Sequence, residues 1–152
     1  MSGLAMGWVL QAALLASGAD SYETAVKAAQ ENGQPLMVLV GADWCPGCVT
    51  MKNSTIPAMA RSGQLKGVQF ATINYDQNPT LARQLMRGNS IPQLVIYSKT
   101  EQGWHREQIT GATSSGSVTG LIQRAVAVQI PAAKPDTKAI VEAAPTDKSS
   151  GN

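Results

Sequence analysis

Apolar and polar positions alternate along the chain in two rhythms, one helical and one extended. Tyr22, Ala25, Val26 and Ala29 recur at helical spacing, Asp20 with Glu23 resembles a capping pair, and Gly33 supplies a C-terminal stop. A first helix is expected there. Pro35 then introduces Leu36-Met37-Val38-Leu39-Val40, an unbroken apolar run of the kind that a strand buried on both faces requires. Gly41 to Trp44 read as a turn. Cys45 to Asn53 should be helical, because Pro46 is tolerated in a first turn, where its missing N–H costs nothing. A break is expected at Ser54 to Pro57, with a short helical resumption to Arg61.

Val68 to Ile73 alternates and is rich in β-formers, which predicts a second strand. Asn78 and Pro79 open a helix carrying Leu81, Leu85 and Met86 that stops at Gly88. Gln93 to Tyr97 should form a third strand, Ser98 to Gly103 a turn, and Trp104 to Ile109 a fourth strand completing a hairpin. Gly111 ends that strand. Ser114 or Ser115 starts a last helix with Val118, Leu121, Ile122, Ala125 and Val126 on one face. Strands joined through helices imply parallel pairing, whereas a hairpin is antiparallel. The expected fold is therefore α/β, a central mixed four-stranded sheet flanked by helices on both faces.

The two ends differ from this body. Residues 1–19 hold no charged side chain, and Leu4, Met6, Val9, Leu10, Leu14 and Leu15 form an apolar stretch interrupted by Gln11. It reads as a signal h-region, with Ser17-Gly18-Ala19 offering small residues for cleavage before Asp20, or else as an apolar helix packed on the domain. The first reading places the protein in a periplasm or outside the cell, the second in the cytoplasm. No Lys or Arg precedes the apolar stretch, where a signal normally has one. Residues 131–152, rich in Ala, Pro and Lys, contain Ile140 and Val141 as their only large apolar side chains, so a disordered tail is expected. The domain itself should span residues 20–130.

Composition narrows the function. Charged residues make up 14% of the 152, below the roughly 25% of an average soluble protein. No stretch reaches the roughly 18 consecutive apolar residues that span a bilayer, so no stable membrane insertion is expected. The formal charge of +2 is scattered without a Lys/Arg run, which gives nucleic acid no purchase. Neither a Gly-rich phosphate loop nor a Ser/His/Asp triad is present.

What remains is the pair of cysteines, Cys45 and Cys48. At the start of a helix, residues three apart share a face and lie within reach of a disulfide. Free N–H groups and the macrodipole at a helix N-terminus stabilise an anion, and such settings lower a thiol pKa from about 8.5 to roughly 3.5–7.5. Cys45 is thus the candidate nucleophile. Cys48, one turn further in, would attack the mixed disulfide and release the reduced substrate. Other uses of the pair are a zinc site, for which the chain adds only His105 to two cysteines, and a structural disulfide closing a four-residue loop of small entropic return. Six methionines raise the question of copper. Met37, Met51, Met59 and Met86, however, fall at or beside expected core positions, and Met1 and Met6 belong to the leader.

Together, Ala42-Asp43-Trp44-Cys45-Pro46-Gly47-Cys48, Asp76-Gln77-Asn78-Pro79, Ser90-Ile91-Pro92 and Gly111 make the chain resemble the thioredoxin superfamily from about Asp20 to Val128. The resemblance implies a thioredoxin-like fold and a thiol–disulfide oxidoreductase acting on protein disulfides or dithiols as a monomer. It implies no metal or other cofactor, and a separate reductase or oxidase that recycles the pair. It makes Cys45 the attacking thiolate and Cys48 the resolving thiol. Trp44 becomes a lid beside the pair, Pro92 a cis-proline facing it, and Ile91 a backbone edge for an extended substrate segment. Three positions depart from the family pattern. Leu39 stands where a buried acid is usual, Thr72 where a lysine often accompanies that acid, and the dipeptide between the cysteines is Pro-Gly instead of Gly-Pro.

With the buried acid missing, Asp43 is a candidate proton relay, against the alternative of a merely solvated turn carboxylate. Lys52 is a candidate source of positive potential, against that of a solvated helix lysine. His105 reads as a surface residue, and Asn53-Ser54-Thr55 is formally a glycosylation sequon. Two further functions compete with catalysis: a non-catalytic thioredoxin-like binding module, and a metal carrier that uses both cysteines in a dimer.

Overall fold

The computed structural model describes residues 18–130; the leader and tail readings concern residues outside that span, apart from Gly18 and Ala19. Helix α1 (Gly18–Asn32) leads into β1 (Leu36–Gly41). Asp20 lies inside α1, so the Asp20/Glu23 pair falls within the helix instead of starting it; Ala19 before it is a strong helix former. The stop is as expected. Gly33 adopts a left-handed φ of 61°, and the Gln34 N–H reaches back to the Ala29 carbonyl at 3.0 Å, closing the helix end.

The segment after β1 differs from the sequence reading in one informative way. Helix α2 (Pro46–Thr50), a π-helical turn (Met51–Thr55) and helix α3 (Ile56–Arg61) run on without the break expected at Ser54 to Pro57. The Ile56 N–H bonds the Met51 carbonyl, five residues back, which widens the turn and lets Pro57 fall in the first turn of α3, where it breaks no hydrogen bond. Strand β2 (Gln69–Asn74), helix α4 (Pro79–Leu85), strands β3 (Gln93–Thr100) and β4 (Gly103–Thr110), and helix α5 (Ser115–Val128) complete the order. The hairpin turn is tighter than the expected Ser98 to Gly103. Ser98 is a fully buried strand residue paired with His105.

The four strands lie in the order β2-β1-β3-β4, a mixed sheet. Only β1 and β2 are parallel; β3 runs antiparallel to β1, although a helix joins it to β2. After α4 the chain re-enters the sheet at the end it left, which sets β3 antiparallel to β1. Gly41, Asn74 and Gln93 consequently meet at one end of the sheet.

All six residues of β1 are buried, as a central strand covered on both faces requires. On one face Met37, Leu39, Leu94 and Ile96 pack with Met51, Ile56 and Met59 and with Val118 and Leu121 of α5. On the other, Val38, Val40, Ala71 and Ile73 pack with Ala25 and Ala29 of α1 and with Ala82 and Leu85 of α4. Each large side chain buried this way contributes about 1.5–3 kcal/mol. Among the described residues, no helix is long and apolar enough to cross a membrane.

Candidate active site

The site forms where β1 ends and the helical run begins. Cys45 is the N-cap of α2, with an extended backbone (φ −93°, ψ 111°), and Pro46 occupies the first helical position. Cys45 and Cys48 are joined as a disulfide across a Cα–Cα distance of 5.2 Å. The Cys48 N–H donates to Cys45 Sγ at 3.3 Å, so an orphan donor of the helix start is spent on that sulfur. The same donor would stabilise a Cys45 thiolate once the bond is reduced.

Glycines shape both sides of the pair. A Cβ at position 41 would lie 2.8 Å from Cys48 Cβ and 2.9 Å from its sulfur, so Cys48 occupies the space a side chain on β1 would fill. A Cβ at position 47 would lie 3.0 Å from Ala112 Cβ and 3.6 Å from Pro92 Cδ. This crowding gives the Pro-Gly order a local reason: the second position of the dipeptide faces two neighbours and has little room for a side chain.

Across from the cysteines, the Ile91–Pro92 bond is cis. The Ile91 carbonyl oxygen lies 3.9 Å from Cys45 Sγ, and the Pro92 carbonyl accepts the Gly111 N–H at 2.8 Å. Gly111, at φ 93°, uses a backbone conformation that other residues rarely adopt, and it brings Ala112 alongside. Trp44 is 68% exposed, and its indole Nε1–H donates to Asp76 Oδ2 at 2.8 Å. Asp43, also exposed, accepts a hydrogen bond from Asn74 Nδ2 at 3.1 Å. Of the candidate residues, Ile91 thus meets the Cys45 sulfur through its carbonyl, Trp44 turns to Asp76, and Asp43 lines the same cleft as Cys48.

Three residues that the sequence reading did not single out for the site hold it together. Asn74 links the loop after β1 to the loop after β2, since its Oδ1 also accepts the Asp76 and Gln77 N–H groups. Asp76 anchors Trp44. Gln93, fully buried, accepts from the Arg87 N–H at 3.0 Å and donates to the Arg87 and Ser90 carbonyls at 2.8 and 3.0 Å, which latches the loop leading into Ile91–Pro92. A signal for Gln93 was available: it is a polar residue heading an otherwise apolar strand. Asp76 stood in a segment that carries the family resemblance but with no role attached, and Asn74, at the end of β2, carried no signal.

Of the other candidates, Lys52 is exposed and lies near Asp43 and Thr72, and Leu39 and Thr72 face each other across β1 and β2. His105 is exposed on β4 with Nε2 3.4 Å from Glu107 Oε1, remote from the cysteines in the strand register. No group of three or more His, Cys, Asp and Glu side chains gathers as a metal site among the described residues.

The fold and this pair together make a redox-type site. A family model described as thioredoxin-like matches residues 18–99, more than half of the chain. Solved structures similar to this chain include a thioredoxin from Fasciola hepatica, 25% identical with a TM-score of 0.55, over 73% of this chain and 96% of that one. Another is a thioredoxin from Thermus thermophilus, 23% identical with a TM-score of 0.56, over 70% of this chain and 84% of that one. A third is the germline-specific thioredoxin Deadhead of Drosophila melanogaster, 22% identical with a TM-score of 0.56, over 72% of this chain and 98% of that one. No curated protein was found to match the sequence. With its four-stranded mixed sheet, its Cys-Pro-Gly-Cys helix start and the family match, the chain belongs to the thioredoxin-like family.

Proposed function

We propose that the chain is a thiol–disulfide oxidoreductase that exchanges disulfides with protein substrates through Cys45 and Cys48. The observation that carries this reading is the asymmetry of the pair. Cys45 is the helix N-cap, holds an N–H on its sulfur and directly follows the exposed Trp44, whereas Cys48 lies one turn into the helix against Gly41.

In the reduced state, the Cys45 thiolate attacks a substrate disulfide, forming a mixed disulfide and releasing one substrate thiol. The Cys48 thiolate then attacks Cys45 Sγ, restoring the intramolecular bond and releasing the second substrate thiol. Two electrons pass to the substrate, and a dithiol donor returns them to the pair. Run in reverse, the same steps oxidise a dithiol substrate. An extended substrate segment pairs with the backbone of Ile91, whose carbonyl already lies 3.9 Å from Cys45 Sγ, and the exposed Trp44 indole covers the segment's flank.

Insulin reduction driven by dithiothreitol tests the reading. Cys45→Ser should abolish turnover, and Cys48→Ser should accumulate mixed disulfides. Equal turnover by wild type and Cys45→Ser would overturn it.

A further inference from the structure

For Cys48 to attack, its thiol must lose a proton, and among the described residues the two strands facing it offer no acid or base. β1 presents Leu39 and β2 presents Thr72 on this side. What the structure has instead is a small cleft of about 50 Å³, open to solvent and bordered by Cys48, Leu39, Thr72, Asn74, Lys52 and Asp43. That exceeds the ~10–15 Å³ that a single water needs, so water can enter it. Gly41, which lacks a side chain, forms part of the wall where Cys48 packs. Among the residues lining the cleft, the charged groups are Asp43 from the loop after β1 and Lys52 from the π turn. The β1 and β2 walls add none. Asp43 is also held in place, through the 3.1 Å hydrogen bond from Asn74, itself a lining residue.

Resting on the oxidoreductase reading, we infer that this cleft is the proton path for Cys48, that Asp43 is the acceptor at its mouth, and that Asn74 is the positioning residue that aims Asp43. As Cys48 Sγ bonds to Cys45 Sγ and the bond from Cys45 to the substrate sulfur breaks, the Cys48 proton passes through cleft water to the Asp43 carboxylate and on to solvent. The substrate sulfur leaves with the electron pair of the broken bond.

An aromatic disulfide that liberates a coloured thiolate separates the two attacks. Mixed with reduced protein, it releases one equivalent when Cys45 attacks and a second when Cys48 resolves the mixed disulfide. Asp43→Asn should slow the second phase about tenfold at neutral pH, less than the 10²–10⁴ of a base in direct contact because water intervenes. The first phase should be unchanged. As pH rises far enough for the Cys48 thiol to ionise unaided, the variant and wild type should converge. Asn74→Ala should act in the same direction by about threefold, as expected when a base keeps its charge but loses its orientation.

A second phase in Asp43→Asn equal to wild type at neutral pH would overturn the proposal, and so would a slowing of the same size at all pH values, which would mark a structural effect. Loss of the second phase in wild type itself would instead defeat the oxidoreductase reading.

Discussion

The two sulfurs of this site share a bond but not an environment. Cys45 meets main chain, a helix N–H and the Ile91 carbonyl, while the next helix residue but one, Gly47, packs against Pro92 and Ala112. Cys48 rests on a glycine and fronts a cleft bordered by an aspartate, a lysine and an asparagine. Under the proposed function, the first environment would receive an extended chain and steady a negative sulfur, and the second would exchange a proton with water. A pair of identical residues acquires two roles because one lies at the helix boundary and the other one turn inside it.

Breaking the Cys45 side should give the largest loss of stability. Gln93→Leu keeps the volume at a fully buried position but strands the Arg87 N–H and the Arg87 and Ser90 carbonyls. Denaturant unfolding should show about 3 kcal/mol lost, given 1–3 kcal/mol for each group left unsatisfied in the interior and partial relief by water at the loop. The loosened Ile91–Pro92 loop should slow the Cys45 phase more than the Cys48 phase.

On the Cys48 side, Gly41→Ala places a methyl group 2.8 Å from Cys48 Cβ, which must shift, and neither the strand nor the helix start yields cheaply. Overpacking of this kind costs about 2 kcal/mol, measurable in the same unfolding experiment, and here the second kinetic phase should suffer more than the first.

The smallest effect belongs to a control remote from both sulfurs. The Glu107 carboxyl is held below its ordinary value of 4.5 chiefly by the hydrogen bond from Arg124, at 2.8 Å, with burial opposing and His105 assisting. A carboxyl with a lowered folded pKa contributes stability that is fully present above pH 4.5 and is lost as pH falls through the lowered value. For a surface pair that is worth about 0.2–1 kcal/mol, and Arg124→Ala should flatten the acid-side slope by about that amount in a pH series of melts without changing either kinetic phase.

Much of this architecture was legible from local rules. An unbroken apolar run predicted a doubly covered β1, Gly33 marked a helix end, and Ser114 capped α5. The cysteine pair announced itself by spacing. Two things were not legible. The antiparallel pairing of β1 with β3 depends on which end of the sheet the chain re-enters, a global property that a helix between two strands does not specify. The bonds from Asn74 to Asp43 and from Asp76 to Trp44 join residues 31 and 32 positions apart, and residues at strand ends and in loops carry no periodicity to betray such pairing. The break expected at Ser54 to Pro57 failed for a different reason: a proline ends an α-helix only where its absent N–H would have been used.

That same segment has a consequence for how sequence and surface are kept in phase. The buried residues of the helical run are Cys48, Met51, Ile56 and Met59, at intervals of three, five and three. An ordinary helix advances about 100° per residue, so an interval of five would swing Ile56 and Met59 away from Met51, whereas three or four would not. The π turn acts as a one-residue phase shifter. It admits one extra residue without moving the apolar stripe, so the cysteine end and the core-anchoring end of the helix can each keep their own rotational setting over the sheet.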